Sequence, residues 1–201
     1  MRQDGAIGLR RLSRGHALVV GGTGMLRGVV TWLAEQGWAA SVVARGRERL
    51  LALRDEAEGL DGSIRPIPVD YRDSGALRAE LLSAVRSAGP IRLAVCWIHS
   101  TAPEAPGVVA EVLRRQSTPC RYFRVRGSPA RDPSVPDSHD ALLHGMGPPL
   151  LYRRVILGFR RDDGGSRWLT DSEMASGVIE AVRGDSERTM VGTTEPWSAR
   201  P

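Results

Sequence analysis

Short, uninterrupted apolar segments alternate with amphipathic segments along much of the chain. Residues 17–20 (Ala-Leu-Val-Val) carry no polar side chain, as expected of a strand that is buried on both faces. Apolar residues then recur at helical spacing between Leu26 and Leu33, and Gly37 provides a helix stop. A second apolar segment, residues 40–44, follows at once. This part of the chain therefore predicts a strand, a helix and another strand.

The same alternation continues as far as residue 125. Strands that alternate strictly with helices favour a parallel sheet that is covered on both faces. The pattern therefore predicts a Rossmann-like α/β fold, with a doubly wound, mainly parallel sheet and helices on both faces. Its first five strands are expected at residues 17–20, 40–44, 64–69, 91–97 and 121–125.

Local signals mark several element boundaries. Asp73 is a predicted N-cap of the third helix, and Thr170 with Glu173 forms a capping-box pattern before a late helix. Two prolines in the third strand predict an irregular or edge-like piece. The remaining elements are expected at 152–159 (strand), 162–165 (turn) and 189–192 (short strand).

Residues 1–14 carry no periodic pattern and are expected to form a flexible N-terminal tail, followed by a single domain over residues 15–201. Residues 128–149 are rich in Pro, Gly, Asp and His, and predict a loop or broken helix over one end of the sheet. No compact ligand set is present there, so no metal site is expected. The polar residues considered are Asp137, His139, Asp140 and His144.

The composition restricts the class of protein. Hydrophobic residues make up 41% and charged residues 25% of the chain, which is typical of a globular domain. No apolar segment is long enough to cross a bilayer, and the arginine-rich start has no secretory h-region. Cys96 and Cys120 each lie in a predicted strand, as expected of reduced core thiols. We therefore expect a cytoplasmic protein without a membrane partner.

All 28 basic residues are arginines, because the chain contains no lysine. This excludes a phosphate-loop lysine, a Schiff-base lysine and a Tyr-x-x-x-Lys pair. The net charge of +5 is spread among many acidic residues and forms no long basic run. Nucleic acid is therefore not the expected partner, and anionic nucleotides or phosphorylated ligands are favoured.

A glycine-rich segment joins the first strand to the first helix. Small residues here permit a tight turn and let the backbone approach a pyrophosphate, while the helix N-terminus supplies N–H donors. Gly28 is expected inside the helix, where it would allow close packing on the sheet. The alternative is a glycine-rich turn without a ligand. The predicted pyrophosphate contacts are Gly21, Gly22, Thr23, Gly24, Met25 and Leu26.

Arg45 ends the second strand, 21 positions after Gly24, where NAD-binding domains carry an acidic residue on the ribose. An arginine there suits a 2′-phosphate, so NADP is favoured over NAD, with Arg47 and Arg49 as possible helpers. The alternative is a set of solvated charges at a helix start. Asp70, after the third strand, suits contact with adenine, or else serves as a turn residue or cap.

These motifs resemble the short-chain dehydrogenase/reductase family, and more closely its atypical, short members. The resemblance rests on Gly-Gly-Thr-Gly after the first strand, Ala44-Arg45 and Arg49-Leu50 after the second, and Val69-Asp70 after the third. It covers residues 15–128. It implies a doubly wound sheet, NAD or NADP as cofactor, and self-association through helices after the fourth and fifth strands.

The chain departs from the family where catalysis is concerned. Trp97-Ile-His-Ser100 replaces the usual Asn-Asn-Ala-Gly, and no Tyr-x-x-x-Lys motif is present. Ser128 stands where the resemblance implies the catalytic serine. Tyr152 is expected to begin a strand, so it does not simply inherit the tyrosine role.

The carboxyl ends of the strands face the site in a doubly wound sheet. Tyr71, His99 and Ser100 are therefore further candidate cofactor contacts. His99 titrates near neutrality and is a candidate proton donor, Ser128 can orient the reacting oxygen or nitrogen, and Tyr152 is a third candidate donor. Near the C-terminus, residues 193–197 either close over a ligand or pack the tail through Trp197.

Two functions are consistent with these residues. The first is an NADP-dependent reductase of a small carbonyl or imine compound with a non-standard proton donor. The second is a non-catalytic NADP(H)-binding redox sensor or regulatory subunit. An isomerase or epimerase that uses the cofactor transiently is a weaker third class. A small-molecule substrate and a homo-oligomer are the expected partners.

Overall fold

A computed structural model of the chain describes residues 15–127, 143, 145–162 and 165–201. The predicted N-terminal tail, Ser128 and the polar residues of 137–144 lie outside these described residues. Within them, seven strands form one sheet in which every neighbouring pair is parallel. In chain order these strands are β1 (His16–Val20), β2 (Ala39–Ala44), β3 (Ser63–Pro68), β4 (Ile91–Trp97), β5 (Cys120–Gly127), β6 (Leu150–Leu157) and β9 (Arg188–Val191).

The strand order across the sheet is β3-β2-β1-β4-β5-β6-β9. The chain first moves outward from β1 through β2 to β3, and then returns to the other side of β1 with β4. The carboxyl ends of β1 and β4 therefore flank the point where the winding direction reverses, where ligands bind in sheets of this type.

In the described parts of the chain, five helices of nine or more residues cover the two faces of the sheet. They are α1 (Arg27–Glu35), α2 (Arg47–Glu56), α3 (Ser74–Ala88), α4 (Ala105–Arg114) and α5 (Asp171–Gly184). Helices α1, α2 and α5 share one core with the sheet, and α3 and α4 share the core on the opposite face. The predicted doubly wound fold is confirmed.

Local signals reproduce several boundaries. The Asp73 carboxylate accepts a hydrogen bond from Ala76 N–H at 2.9 Å and begins α3, and Thr170 forms the expected capping box with Glu173 at the start of α5. Strand β3, with its two prolines, lies at a sheet edge, where the missing N–H groups cost least.

The late strand differs from its prediction. It spans Leu150–Leu157 instead of 152–159, because Gly158 lies against the backbone of Thr193 so closely that a Cβ would not fit. The chain turns there into an antiparallel hairpin of β7 (Phe159–Asp162) and β8 (Gly165–Trp168). This hairpin stands beside the carboxyl edge of the sheet.

Candidate functional site

The glycine segment after β1 is held against β2 and β4. Gly21 has φ +82°, and a Cβ on it would lie 2.7 Å from the carbonyl oxygen of Trp97. Its N–H donates to the Val43 carbonyl at 2.9 Å. Only glycine suits this position, because the left-handed backbone and the close approach of β4 both exclude a side chain.

The glycines that follow have different surroundings. A Cβ on Gly22 would lie 2.6 Å from Val42 Cγ1 and 2.9 Å from Val30 Cγ2, so Gly22 lets α1 pack on the sheet. The prediction that Gly28 lets the helix pack on the sheet is wrong. A Cβ there would lie 2.9 Å from the Cβ of Ala175, so Gly28 instead permits the close approach of α5.

The open side of this segment lies at Gly24 and at the start of α1. A Cβ on Gly24 would meet no heavy atom within 4 Å. Helix α1 has no side-chain cap and no acidic residue in its first turn. Leu26, its N-cap residue, is fully buried, so this predicted contact offers no exposed atom to a ligand. An uncapped N-terminus beside open space attracts an anion.

A cavity of about 430 Å³ adjoins this opening at the carboxyl ends of β1 and β2. Arg45, Gly46 and Arg49 line it together with Gly21, Thr23, Ala44 and Tyr71. Arg45 and Arg49 are both exposed. Within the described part of the chain, neither of them forms an ion pair. The structure therefore brings Gly21 and Thr23 of the predicted loop to one cavity with Arg45 and Arg49, neither of which forms an ion pair with a described residue, while Arg47 does not line it.

A smaller cavity of about 140 Å³ lies next to it and contains Asp70, Tyr71 and His99. The Arg72 side chain donates to both carboxylate oxygens of Asp70, at 2.6 to 3.1 Å, and Arg72 N–H adds a bond of 3.0 Å. These hydrogen bonds lower the pKa of Asp70 to about 2. The Asp70 carboxylate therefore binds Arg72 and holds the turn. This agrees with the alternative prediction that Asp70 is a turn residue, rather than a carboxylate free to contact adenine.

His99 faces the arginine-lined side of the site. It lines the smaller cavity with Arg45 and Thr101, and its backbone N–H donates to the Tyr71 hydroxyl at 3.4 Å. Its Nδ1 accepts from Thr101 N–H, also at 3.4 Å. Ser100 is exposed and lines neither of these cavities. His99 therefore lies beside Arg45 and Tyr71 in the smaller cavity.

An apolar cavity of about 290 Å³ lies on the other side of the glycine segment. The carboxyl ends of β4, β5 and β6 form its floor, and the hairpin, α5 and the C-terminal segment form its sides. The sequence did not predict this cavity, because its lining residues come from six distant parts of the chain. Its lining residues are Met25, Trp97, Gly127, Leu157, Gly158, Trp168, Leu169, Met174 and Arg200.

Two predicted catalytic residues have different outcomes. Ser128 follows Gly127 of the apolar cavity, but it lies outside the described residues. Tyr152 is 7% exposed in the core beneath α4, where its ring packs edge-on against Tyr122. It precedes Leu157, the carboxyl end of β6, by five residues, or about 16 Å. Tyr152 therefore does not belong to the site predicted for it.

Other candidate chemistry is limited in the described residues. Cys96 and Cys120 are both free and buried, and burial raises the pKa of both thiols, that of Cys120 to about 12. No group of three or more potential metal ligands occurs among the residues that the structure describes. In the same residues, no helix combines the length and the apolar character needed to cross a bilayer.

No protein-family model and no curated protein matches the sequence. Solved structures do match the fold. A short-chain dehydrogenase/reductase from Serratia marcescens is 17% identical, with a TM-score of 0.71 over 90% of this chain and 98% of that one. A short-chain type dehydrogenase/reductase from Mycobacterium marinum is 19% identical, with a TM-score of 0.73 over 92% and 96% of the two chains.

The MalC reductase/Diels-Alderase from Malbranchea aurantiaca is 18% identical, with a TM-score of 0.73 over 92% of this chain and 96% of that one. Similarity at this level of identity concerns the fold and not the reaction. It agrees with the parallel sheet and its covering helices described above. The protein thus has the fold of the short-chain dehydrogenases/reductases.

Proposed function

We propose that this protein is an NADP-dependent oxidoreductase that reduces a small carbonyl or imine compound. The proposal is carried by one observation: the cavity beside the glycine segment is lined by Arg45 and Arg49, neither of which is paired with a described carboxylate. Two cations without an ion pair to a described side chain, next to a helix N-terminus without a side-chain cap, suit a ligand with phosphates on both its pyrophosphate and its ribose.

The residues present fit such a dinucleotide. Gly24 leaves room for a pyrophosphate at the start of α1, and Thr23 can donate its hydroxyl there. Arg45 and Arg49 would hold the 2′-phosphate, and Tyr71 with His99 would border the adenine. The larger cavity and the apolar cavity lie on opposite sides of the glycine segment, as the two ends of a dinucleotide require.

When bound in its reduced form, the dinucleotide would supply a hydride, that is, two electrons and one proton, to the carbon of the C=O or C=N bond. The remaining proton must reach the substrate oxygen or nitrogen. We assign its delivery to Ser128, which follows Gly127 of the apolar cavity, with replacement of the proton from water. The apolar lining would exclude competing water from the reacting carbon.

Calorimetric titration of NADPH and NADH tests the cofactor assignment. We expect the double variant Arg45→Gln, Arg49→Gln to bind NADPH about 10- to 100-fold more weakly, because each charged hydrogen bond contributes about 1.5–3 kcal/mol and both are exposed to solvent. Its NADH affinity should change little. Arg114→Gln, at the exposed end of α4, is the matched control. Equal losses of NADPH and NADH affinity would refute the 2′-phosphate assignment.

One observation favours a second candidate, a non-catalytic NADP(H)-binding redox sensor or regulatory subunit. Among the described residues that line the apolar cavity, none carries a carboxyl, imidazole, thiol or phenol group. A screen of NADPH oxidation with carbonyl and imine compounds distinguishes the two functions. Turnover that is lost in Ser128→Ala supports the enzyme, and tight NADPH binding without turnover on any compound supports the sensor.

A further inference from the structure

The C-terminal segment returns to the apolar cavity after it leaves the sheet edge. Gly192, with φ +76°, turns the chain after β9. Thr193 and Phe159 then exchange two backbone hydrogen bonds of 2.8 and 2.9 Å. The short 3-10 helix Trp197–Ala199 follows and brings Arg200 to the rim of the cavity. The segment is therefore tied to the hairpin before it reaches the site.

Two indole rings hold the guanidinium of Arg200. Its central carbon lies 5.2 Å from the ring centroid of Trp168 and 5.1 Å from that of Trp197. Cation–π contact with two rings restricts the side chain of Arg200, so that less conformational entropy is lost when an anion binds. Arg200 remains exposed to solvent.

Arg200 forms no ion pair with a carboxylate among the described residues. Arg160 and Arg167, on the same hairpin as Trp168, both pair with Glu173, at 3.2 and 2.8 Å. No described carboxylate pairs with Arg200 in this way. All its companions in the cavity lining are apolar residues or glycines. The cavity thus combines a largely apolar surface with one cation at its rim.

We propose that this cavity selects substrates that have an apolar body and a single carboxylate, and that Arg200 pairs with the carboxylate. The inference rests on the proposed function, which assigns the cavity to the substrate. A carboxylate matches one guanidinium through two parallel hydrogen bonds. A phosphate dianion would leave part of its charge uncompensated against the apolar lining.

The test uses pairs of carbonyl compounds that differ only in charge. We choose 4-formylbenzoate, benzoylformate and levulinate, each compared with its methyl ester. NADPH oxidation gives kcat and KM, and tryptophan fluorescence gives the affinity of each compound without nucleotide. The variants are Arg200→Gln, Arg200→Lys and, as control, Arg183→Gln. Arg183 also lies over an indole, that of Trp32 at 5.5 Å, but does not line the cavity.

We expect the wild-type protein to bind at least one acid about tenfold more tightly than its ester, which corresponds to about 1.4 kcal/mol. Arg200→Gln should reduce this preference to less than about twofold, Arg200→Lys should retain part of it, and Arg183→Gln should retain all of it. The preference should be found in KM and in the fluorescence titration, with a smaller change in kcat.

Two results would overturn the inference. One is that no acid binds more tightly than its ester, or that the preference persists in Arg200→Gln. The other is that Arg200→Gln weakens NADPH at least tenfold while the acid-to-ester ratio stays constant, since Arg200 would then bind the cofactor phosphates. Failure of the proposed function gives a different result, in which acids bind selectively by fluorescence but no compound is reduced.

Discussion

Two glycines that are two positions apart in the same segment should respond oppositely to one added methyl group. In Gly22→Ala, the new Cβ would lie 2.6, 2.9 and 3.2 Å from methyl groups of Val42, Val30 and Val19. All three valines are fully buried. In Gly24→Ala, the Cβ would meet no heavy atom within 4 Å. Gly22→Ala should therefore disturb the packing of the core, whereas Gly24→Ala should affect only a ligand that approaches from solvent.

The size of the first effect follows from the neighbours. The three contacts involve β-branched side chains on two strands and α1, and such side chains have few alternative rotamers. A methyl group forced into a close-packed core costs about 1–3 kcal/mol. In a domain of this size that lowers the Tm by roughly 2–12 °C. For Gly24→Ala we expect a change in the free energy of unfolding of less than about 0.5 kcal/mol.

The assay combines thermal unfolding with calorimetric titration of NADPH. Gly24→Ala should keep the wild-type Tm and bind NADPH at least about tenfold more weakly, because its methyl group stands where a phosphate must approach the backbone. If Gly24→Ala is as unstable as Gly22→Ala, the assignment of packing is wrong. If Gly24→Ala is stable and binds NADPH as the wild type does, this surface is not the phosphate site.

Three further predictions concern groups outside the site. Burial lowers the pKa of His16 from its ordinary 6.5, so the neutral ring stabilises the fold above that pH and the contribution is lost as the pH falls below it. The free energy of unfolding should therefore decrease between about pH 7 and pH 5, by at most about 1.4 kcal/mol per pH unit, and His16→Gln should flatten this slope in urea titrations. Thr170→Ala removes the capping box with Glu173 and should cost about 1 kcal/mol in the same titrations. Cys96 and Cys120 should resist a thiol reagent in the native protein and react in concentrated guanidinium chloride, because both are buried.

Each of these predictions has a control or a contradicting result. A pH slope that is the same in His16→Gln as in the wild type would contradict the assignment to His16. Ser172→Ala changes an exposed position one residue into α5 and should not destabilise the protein. Rapid native labelling of either cysteine would show that the core is open around β4 or β5.

The sequence alone predicts those features of the fold that arise from residues close together in the chain. Asp73 caps α3 because its carboxylate reaches an N–H three residues later, and Thr170 reaches Glu173 over the same span. The proline-containing strand lies at a sheet edge as predicted, since its missing donors exclude it from the centre. The alternation of buried strands and amphipathic helices was likewise sufficient for the fold class, because each element must bury its apolar face.

The tertiary structure decided which distant residues meet, and the reason is geometric. Tyr152 had the chemistry of a donor, but its register on β6 puts it in the core, about 16 Å from the carboxyl end of the strand. The sequence predicted that Asp70 contacts adenine, but in the structure both of its carboxylate oxygens accept hydrogen bonds from Arg72. Arg200 had no sequence signal, because its place beside Trp168 depends on the backbone pairing of Thr193 with Phe159. Local sequence patterns specify helices and strands, whereas the apolar cavity forms only when the fold brings six separate segments together.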